Sequence, residues 1–328
     1  MLFKLKGNSV ELCNSQEEQL NLLEIVYNNL DNYYGDHYRY YPSTSAEGWK
    51  LLFKETLSSN LNNFNYIYII NLDGLLPILF GLRINLWDEE VFGFKLSNSV
   101  VTLFGNDIKL ITNTIKASMK ILKERDVKAL VFRCNGDDLT TIHAVGNLGF
   151  RYYENIIWPV LKTSNLRDIY IPNNVRSIND SEYKEVASIA KKYQYDRGHF
   201  FCDERFDKNA ISNLYAKWVN SCKVSNTDVK VIEFDGEIAG YFVCKIDSLL
   251  KKYLGYNYGR LTSLALKGEF RGKRLGAELF RGTLNLLKKS GAEYIDSGYA
   301  TKNHLSARLH SSNQFSSVYQ EVTFHYWL

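Results

Sequence analysis

Residues 261–280 read LTSLALKGEFRGKRLGAELF, and the rest of the chain can be interpreted outward from this stretch. A short apolar run leads through a polar turn into residues 271–277, Arg-Gly-Lys-Arg-Leu-Gly-Ala. From Leu275 onward the apolar residues recur at helical spacing. The pattern predicts a strand, a glycine-containing turn and the start of a helix.

A turn of this kind presents backbone N–H groups to a phosphate. The first N–H groups of a helix have no partner within the helix, and the helix dipole adds partial positive charge there. Gly272 and Gly276 would let the backbone approach an anion closely. Arg271, Lys273 and Arg274 add formal positive charge. We therefore predict a diphosphate-binding loop, the alternative being an ordinary tight turn with a solvated basic rim.

The order of residues in this loop resembles the acyl-CoA signature of the GNAT superfamily of N-acetyltransferases, Gln/Arg-x-x-Gly-x-Gly/Ala. Arg271 and Gly276 match that signature, Ala277 follows, and Arg274 stands where the family has its first glycine. A second block, residues 303–315 (NHLSARLHSSNQF), resembles the family pattern Asn-x-x-Ala-x-x-Leu-Tyr followed by Gly-Phe. The two blocks occur in the family's order and at its spacing.

The resemblance implies that acetyl-CoA is the co-substrate. The strand would bind its pantetheine arm through the backbone, the loop would bind its pyrophosphate, and Asn303 would hydrogen-bond the arm. The implied cofactor-binding residues are Leu264, Leu266, Arg271, Gly272, Lys273, Arg274, Leu275, Gly276, Ala277 and Asn303.

His310 stands where the family usually has a tyrosine, and Gln314 stands where it has a glycine. A free imidazole has a pKa of about 6.5, which suits general acid or base chemistry near neutral pH. We therefore predict that His310 protonates the departing CoA thiolate. The alternative is that His310 is an ordinary polar residue of a helix and that a water molecule or Tyr319 supplies the proton.

Residues near position 200 are the candidates for the amine acceptor. His199, Phe201 and Asp203 precede a predicted helix, where the family commonly shapes its acceptor site. The histidines and acidic residues lack the spacing of metal ligands on a shared element, so we expect no metal site.

The composition indicates a well-packed globular protein. The 328 residues are 45% hydrophobic with four prolines, and the net charge of +4 is too small to indicate nucleic-acid binding. Five widely spaced cysteines suggest reduced thiols in the cytoplasm. Residues 1–12 have no apolar core of signal-peptide length, and residues 66–86 are too interrupted by polar residues to span a membrane.

The two halves of the chain share one order of elements: two helices, a hairpin turning at Asp-Gly, then strand, helix, strand, helix and strand. We interpret this as an internal duplication, with Asp138 opposite Asn303 and Val145 opposite His310. The fold class is therefore α/β (α+β), with tandem GNAT-like domains that each have a mixed central sheet flanked by helices. We predict a degenerate domain at 1–165 without the cofactor loop and a catalytic domain at 166–328, with residues 163–174 as a linker or first strand.

Within the superfamily, residues 86–328 most resemble the TDP-fucosamine (dTDP-4-amino-4,6-dideoxygalactose) N-acetyltransferases. The residues behind this likeness are HFFCDERF at 199–206, LYAKW at 214–218 and FHYWL at 324–328. The resemblance implies direct acetyl transfer to a primary amine on a nucleotide-linked amino sugar, in a cytoplasmic enzyme that needs no membrane or nucleic acid. A homodimer is compatible with the sequence. The alternatives are another amine acceptor (an aminoglycoside, a polyamine or a protein N-terminus) or a non-catalytic acyl-CoA-binding protein.

Overall fold

The computed structural model describes residues 1–7, 9–166, 171–225 and 227–328, which form two units. The first unit comprises Met1–Asn155 and Gln320–Leu328, and the second comprises Ile156–Tyr319. The predicted boundary after residue 165 differs from this division at two segments, 156–165 and 320–328.

Among the described residues, the first unit contains six strands and five α-helices before the chain passes into the second. The strands are β1 (Leu2–Lys6), β2 (Ser9–Leu12), β3 (Tyr66–Asn71), β4 (Ile78–Ile84), β5 (Lys95–Leu103) and β6 (Val127–Asn135). The helices are α1 (Gln16–Tyr27), α2 (Ala46–Leu61), α3 (Leu86–Phe92), α4 (Ile108–Glu124) and α5 (Leu139–Asn147).

In the part of the remaining chain that the structure describes, there follow seven strands, six α-helices and one last strand that returns to the first unit. The strands are β7 (Arg151–Lys162), β8 (Val175–Ser177), β9 (Asp228–Phe234), β10 (Glu237–Asp247), β11 (Tyr258–Leu266), β12 (Tyr294–Asp296), β13 (Tyr299–Ala300) and β14 (Ser316–Trp327). The helices are α6 (Tyr183–Tyr193), α7 (His199–Cys202), α8 (Lys208–Ser221), α9 (Ser248–Leu254), α10 (Leu275–Lys289) and α11 (His304–Ser312).

The sheet of the first unit has the strand order β2-β1-β3-β4-β5-β6-β14. Two of its pairings, β1 with β3 and β5 with β6, are parallel, and the others are antiparallel. One apolar cluster packs under α4 and α5, and a second, which includes Trp49 of α2, packs on the α1 and α2 side. Helices therefore cover both faces of the sheet, as the hydrophobic alternation of its strands requires.

The sheet of the second unit has the order β7-β12-β11-β10-β9-β8, and β13 also pairs with β7. Only the pairing of β11 with β12 is parallel among the described strands of this unit. The core under α10 includes Leu261, Leu279 and Leu284, and the core on the α6 and α8 side includes Tyr241 and Val243. The two mixed sheets flanked by helices confirm the predicted α/β class.

Each sheet takes a strand from the distant part of the sequence. In the second unit, residues 160–162 of β7 pair antiparallel with β12. In the first, Glu321–Trp327 of β14 pair antiparallel with β6. A cut after residue 165 would therefore remove one strand from each sheet.

The ends of α5 and α11 share several details. Asp138 accepts a hydrogen bond from the N–H of Thr141 at the start of α5, as Asn303 does from Ser306 at the start of α11. After each helix comes a residue with positive φ, Gly149 at 86° and Gln314 at 63°. These local correspondences support the interpretation of an internal duplication.

The predicted linker at 163–174 is described in part. Residues 163–165 form a 3-10 turn and β8 begins at Val175, while residues 167–170 lie outside the described residues. Every helix in the described part of the chain is too short or too polar to cross a bilayer.

Candidate functional site

The backbone of β11 exposes hydrogen-bonding groups on its side away from β10. The N–H of Lys267 donates to the Ala239 carbonyl at 2.9 Å, and Leu266 faces Gly240 in the ladder. Hydrogen-bonded and non-hydrogen-bonded pairs alternate along an antiparallel ladder. The N–H and C=O groups of Leu264 and Leu266 therefore point away from β10, which fits the predicted contact with an extended ligand arm.

The neighbouring strand leaves that side of β11 open. The pairing of β11 with β12 runs from Tyr258 to Arg260 and ends at the Arg260–Asp296 pair among the described residues. After Asp296 the chain follows β7 instead, because the N–H of Ser297 donates to the Pro159 carbonyl at 3.2 Å. A cleft therefore opens between residues 261–266 and the segment that follows β12.

A bulge lies at the start of this open edge. The register of β10 and β11 shifts between Val243 and Cys244, which face Ser263 and Leu261, so Thr262 is the extra residue. Its hydroxyl donates to the Val243 carbonyl at 3.2 Å. A bulge bends its strand and increases the local twist, which turns β11 away from β12 at the point where their pairing ends.

The predicted diphosphate loop joins β11 to α10. A 3-10 turn at Gly268–Phe270 leads into Gly272, with φ at 83°, and Arg274, with φ at 64°. No acceptor is found within the described residues for the backbone N–H groups of 272–276, and no side chain caps α10. Consecutive free N–H groups at a helix start are the arrangement that binds phosphate oxygens.

The glycine at position 276 has a packing reason. A Cβ placed on Gly276 would lie 3.2 Å from Cδ1 of Leu266, closer than most such contacts. The first turn of α10 therefore lies directly against the end of the open strand edge. Leu275 is buried beneath it and anchors the helix start, while Ala277 is exposed.

The three basic side chains of the loop are exposed, and two of them lie over aromatic rings. The Lys273 ammonium is 4.5 Å from the ring centroid of Phe234, and the Arg271 guanidinium is 5.9 Å from that of Tyr193. These contacts hold positive charge at the rim of the loop, and none of the three side chains forms a salt bridge within the described residues. The backbone of Arg274 has the left-handed conformation, and its side chain is exposed to solvent.

Both departures from the family glycines fall at positive φ. Arg274 has φ at 64° and Gln314 has φ at 63°. The backbone therefore keeps the conformation that glycine adopts freely, although a side chain there costs about 1–2 kcal/mol.

Asn303 begins α11 at the far side of the cleft. Its Oδ1 accepts a hydrogen bond from the N–H of Ser306 at 3.1 Å, and its side-chain amide nitrogen has no partner among the described residues. Asn303 therefore orients the helix and keeps donors for a ligand.

His310 is buried in an aromatic cluster. The ring stacks on Tyr299 at 4.8 Å and meets Phe280 and Phe315 edge-on at 5.1 and 4.8 Å. Nδ1 lies 2.7 Å from the Ser306 carbonyl oxygen, and Nε2 has no hydrogen-bond partner in the described structure. Burial lowers the pKa of His310 to about 4, and the bond to Ser306 opposes this shift only in part.

This environment favours the neutral ring of His310 near pH 7 and does not favour a role as proton donor. Because a carbonyl oxygen can only accept, Nδ1 carries the proton of the neutral ring and Nε2 carries none. With a pKa of about 4, only about one ring in a thousand is charged at pH 7.

The three predicted acceptor residues differ in their surroundings. His199 and Phe201 are half-buried on α7, and Phe201 stacks on Tyr215 of α8 at 6.4 Å. Asp203 is 1% exposed, and its carboxylate accepts two hydrogen bonds from the Arg205 guanidinium at 2.7 and 2.8 Å. Asp203 therefore holds the α7–α8 turn with its charge already neutralised.

Sequence reasoning missed Lys302 and the Arg260–Asp296 pair. The Lys302 ammonium lies 3.9 Å from Cys202 Sγ, which brings α7 beside the residue that precedes Asn303. The Arg260 guanidinium donates hydrogen bonds of 3.0, 3.1 and 2.5 Å to the buried Asp296 carboxylate, at the point where β11 and β12 separate. Strand register alone brings that pair together, and no local sequence signal could have found it.

Within the described residues, no group of histidine, cysteine and acidic side chains is arranged to hold a metal ion.

Known proteins resemble both the sequence and the fold. Residues 183–314 match the model of the acetyltransferase (GNAT) family. A Bacillus subtilis protein described as a "putative ribosomal protein bS18-alanine N-acetyltransferase" is 34% identical over 122 residues, which cover 36% of this chain and 68% of that protein.

Two solved structures share the fold. One is a GCN5-related N-acetyltransferase from Sphaerobacter thermophilus, with a TM-score of 0.55 and 11% identity, covering 84% of this chain and 85% of that one. The other is a tandem GNAT protein from the clavulanic acid biosynthesis pathway, with a TM-score of 0.53 and 11% identity, covering 96% and 97%. With the family match and the curated relative, these findings establish that the chain belongs to the GNAT family of acetyltransferases.

Proposed function

We propose that this acyltransferase moves acetyl directly from acetyl-CoA to the primary amine of a nucleotide-linked amino sugar. The observation that carries the acyl-CoA site is the junction of β11 and α10. An open strand edge at Leu264 and Leu266 runs into a loop whose N–H groups at 272–276 have no acceptor among the described residues. The open strand edge suits the amide groups of a pantetheine arm, and the N–H groups of the loop suit a diphosphate.

Each proposed cofactor contact uses a backbone or side-chain amide group that has no hydrogen-bond partner among the described residues. Leu264 and Leu266 offer backbone donors and acceptors, the loop offers N–H groups, and Asn303 offers its amide nitrogen. Because Gly276 has no side chain, the loop and the strand edge lie close enough together for one ligand to contact both.

The reaction needs the amine nitrogen to attack the thioester carbon, so that a C–N bond forms and the C–S bond breaks. The nitrogen loses one proton, and the thiolate gains one. Positioning of the two reactants can lower such a barrier by several kcal/mol, about 7 in favourable cases. We propose that His310, as a neutral ring packed by Tyr299, shapes the acyl end of the cleft. The thiolate would then take its proton from water or from Tyr319.

The surroundings of α7 support a phosphate-bearing acceptor. Phe201 and Tyr215 provide a stacked aromatic wall, and the exposed Lys302 lies beside Cys202. The carboxylate of Asp203, which could have attracted a cationic peptide terminus, is buried and held by Arg205. This arrangement favours an acceptor with a planar base and negative phosphates over a polyamine.

A second candidate acceptor is the N-terminal alanine of a protein. The Bacillus subtilis relative is described as an alanine N-acetyltransferase of a ribosomal protein, and its match covers 36% of this chain.

We also propose that the first unit is a degenerate copy without a cofactor loop. Its equivalent turn, residues 104–108, contains no basic residue, and α4 begins directly after Asp107. Five free cysteines support the proposal of a reducing cytoplasmic compartment.

The test is CoA thiol release from acetyl-CoA in the presence of TDP- and UDP-linked amino sugars, with a peptide that begins with alanine as the competing acceptor. We expect release with one amino sugar and background rates with the peptide. Release with the peptide alone would replace the sugar by the protein N-terminus. Binding of acetyl-CoA without thiol release in the presence of any of these amines would contradict the proposed activity.

A further inference from the structure

A cavity of about 590 Å³ lies in the first unit, between the β3–β4 turn and the start of α4. Residues 74–78 form one wall and residues 105–110 form the other. Its volume falls within the range of about 300–1,000 Å³ that is usual for small-molecule sites.

The cavity corresponds in the chain topology to the loop region of the second unit. In both units a hairpin that turns at Asp-Gly lies beside the turn from a long strand into a helix. In the second unit Phe234 packs on Phe270 at 5.7 Å, and Lys273 lies over Phe234. The first unit has Gly105 and Asn106 in its turn instead, which leaves the space open.

The side chain that caps α4 disfavours an anion at the start of this helix. Asp107 Oδ1 accepts hydrogen bonds from the N–H groups of Lys109 at 2.9 Å and Leu110 at 3.0 Å. A carboxylate therefore already occupies the place where a phosphate would bind, and it would repel a second negative charge.

The lining of the cavity is mainly apolar, and some of that surface faces solvent. Leu110 is 8% exposed, whereas Ile108 and Leu75 are 39% and 105% exposed. The polar members of the lining are Asn106, Asp107 and Lys109, and all three are exposed. Clustered apolar surface around a concave site indicates an apolar occupant, since covering it removes this surface from water.

We propose that this cavity is a binding site for a neutral, apolar small molecule, distinct from the acyl-CoA site and unable to accept coenzyme A. The proposal does not depend on the acceptor assigned to the second unit. It gives the degenerate copy a ligand of its own, in the position where the other copy would bind a diphosphate.

The test is a fluorescence titration of the full chain with N-phenyl-1-naphthylamine, a neutral apolar probe. We expect saturable binding at one site per chain that excess coenzyme A does not displace. Gly105→Phe should weaken it at least about tenfold. A Cβ on Gly105 has its nearest neighbour 3.5 Å away in Leu76, and φ there is not positive, so the substituted ring can fill the cavity without backbone strain.

Two further variants keep the test decisive. Leu75→Asp changes a side chain that is fully exposed, so it should fold normally while placing a charge at the rim and weakening probe binding. Gly146→Phe, on α5 with no atom within 4 Å of an added Cβ, is the control and should bind the probe as the wild type does. Absence of saturable binding, displacement by coenzyme A, or unchanged affinity in both Gly105→Phe and Leu75→Asp would overturn the proposal.

Discussion

His310 donates its Nδ1 proton to the Ser306 carbonyl oxygen, 2.7 Å away and one turn earlier on α11. The bond places the ring between Tyr299 and Phe280 and leaves an unprotonated Nε2 without a partner in the described structure. The residue at the family's tyrosine position is therefore a buried neutral ring. This state leads to predictions for the kinetics and the stability of a His310 variant.

His310→Phe keeps a ring of similar size that cannot carry a proton. Because the native ring is already neutral, we expect kcat to fall by less than about tenfold, against at least about a hundredfold for loss of a general acid. Steady-state kinetics with saturating acetyl-CoA measures this. A hundredfold loss in kcat with unchanged acetyl-CoA binding, together with a rate limb near pH 6.5, would restore the acid role.

Stability should depend on pH through the same residue. The folded pKa of about 4 lies below the usual value of 6.5, so the unfolded chain takes up the proton first as the pH falls. The stabilisation is complete above pH 6.5 and is lost progressively down to pH 4, by about 3 kcal/mol. Urea unfolding of wild type and His310→Phe at pH 7.5 and pH 4 compares the two. An equal loss of stability in both proteins would contradict the lowered pKa.

Arg274→Gly should stabilise the fold. The left-handed φ of 64° costs an arginine about 1 kcal/mol or more, and glycine adopts it freely. Arg271→Gly is the matched control, because Arg271 has φ at −66° and glycine there relieves no strain, while it adds freedom to the unfolded chain and removes the contact with Tyr193. Thermal unfolding should show a higher midpoint for the first variant and a slightly lower one for the second. A lower midpoint for Arg274→Gly would mean that the Arg274 side chain makes a stabilising contact.

We expect the ion pair of Asp203 and Arg205 to stabilise the turn before α8 and to make no direct contact with the acceptor. Arg205→Met leaves a buried carboxylate without its partner, and we expect a loss of about 2 kcal/mol or more, since Arg205 itself is partly exposed. Asp203→Asn should cost less and should change the acceptor KM by less than about threefold. A large rise in KM for Asp203→Asn with unchanged stability would indicate direct contact with substrate.

The local parts of the fold could be predicted from the sequence. The helix after the basic loop and the Asp-Gly hairpins follow from spacing and turn residues, and the structure confirms them. The correspondence of Asp138 with Asn303 also followed from the repeat, and both residues begin their helices.

The parts that depend on distant contacts could not be predicted. The exchange of β7 and β14 between the sheets is decided by strand pairing far apart in the chain. The pKa of His310 depends on burial by Phe280 and Phe315, which come from outside its helix. The ion pair of Arg260 with Asp296 exists only because β11 and β12 lie in that register.

The most direct test of the acyl-CoA site is calorimetric titration of acetyl-CoA into the wild type, Gly276→Val and Gly146→Val. Valine at 276 would press against the Leu266 side chain, whereas an added Cβ on Gly146, in a helix of the first unit, meets no atom within 4 Å. We predict one acetyl-CoA per chain, a loss of at least about tenfold in affinity for Gly276→Val and a change within about twofold for Gly146→Val. Two molecules bound per chain, or equal affinity in all three proteins, would contradict a single site built on the junction of β11 and α10.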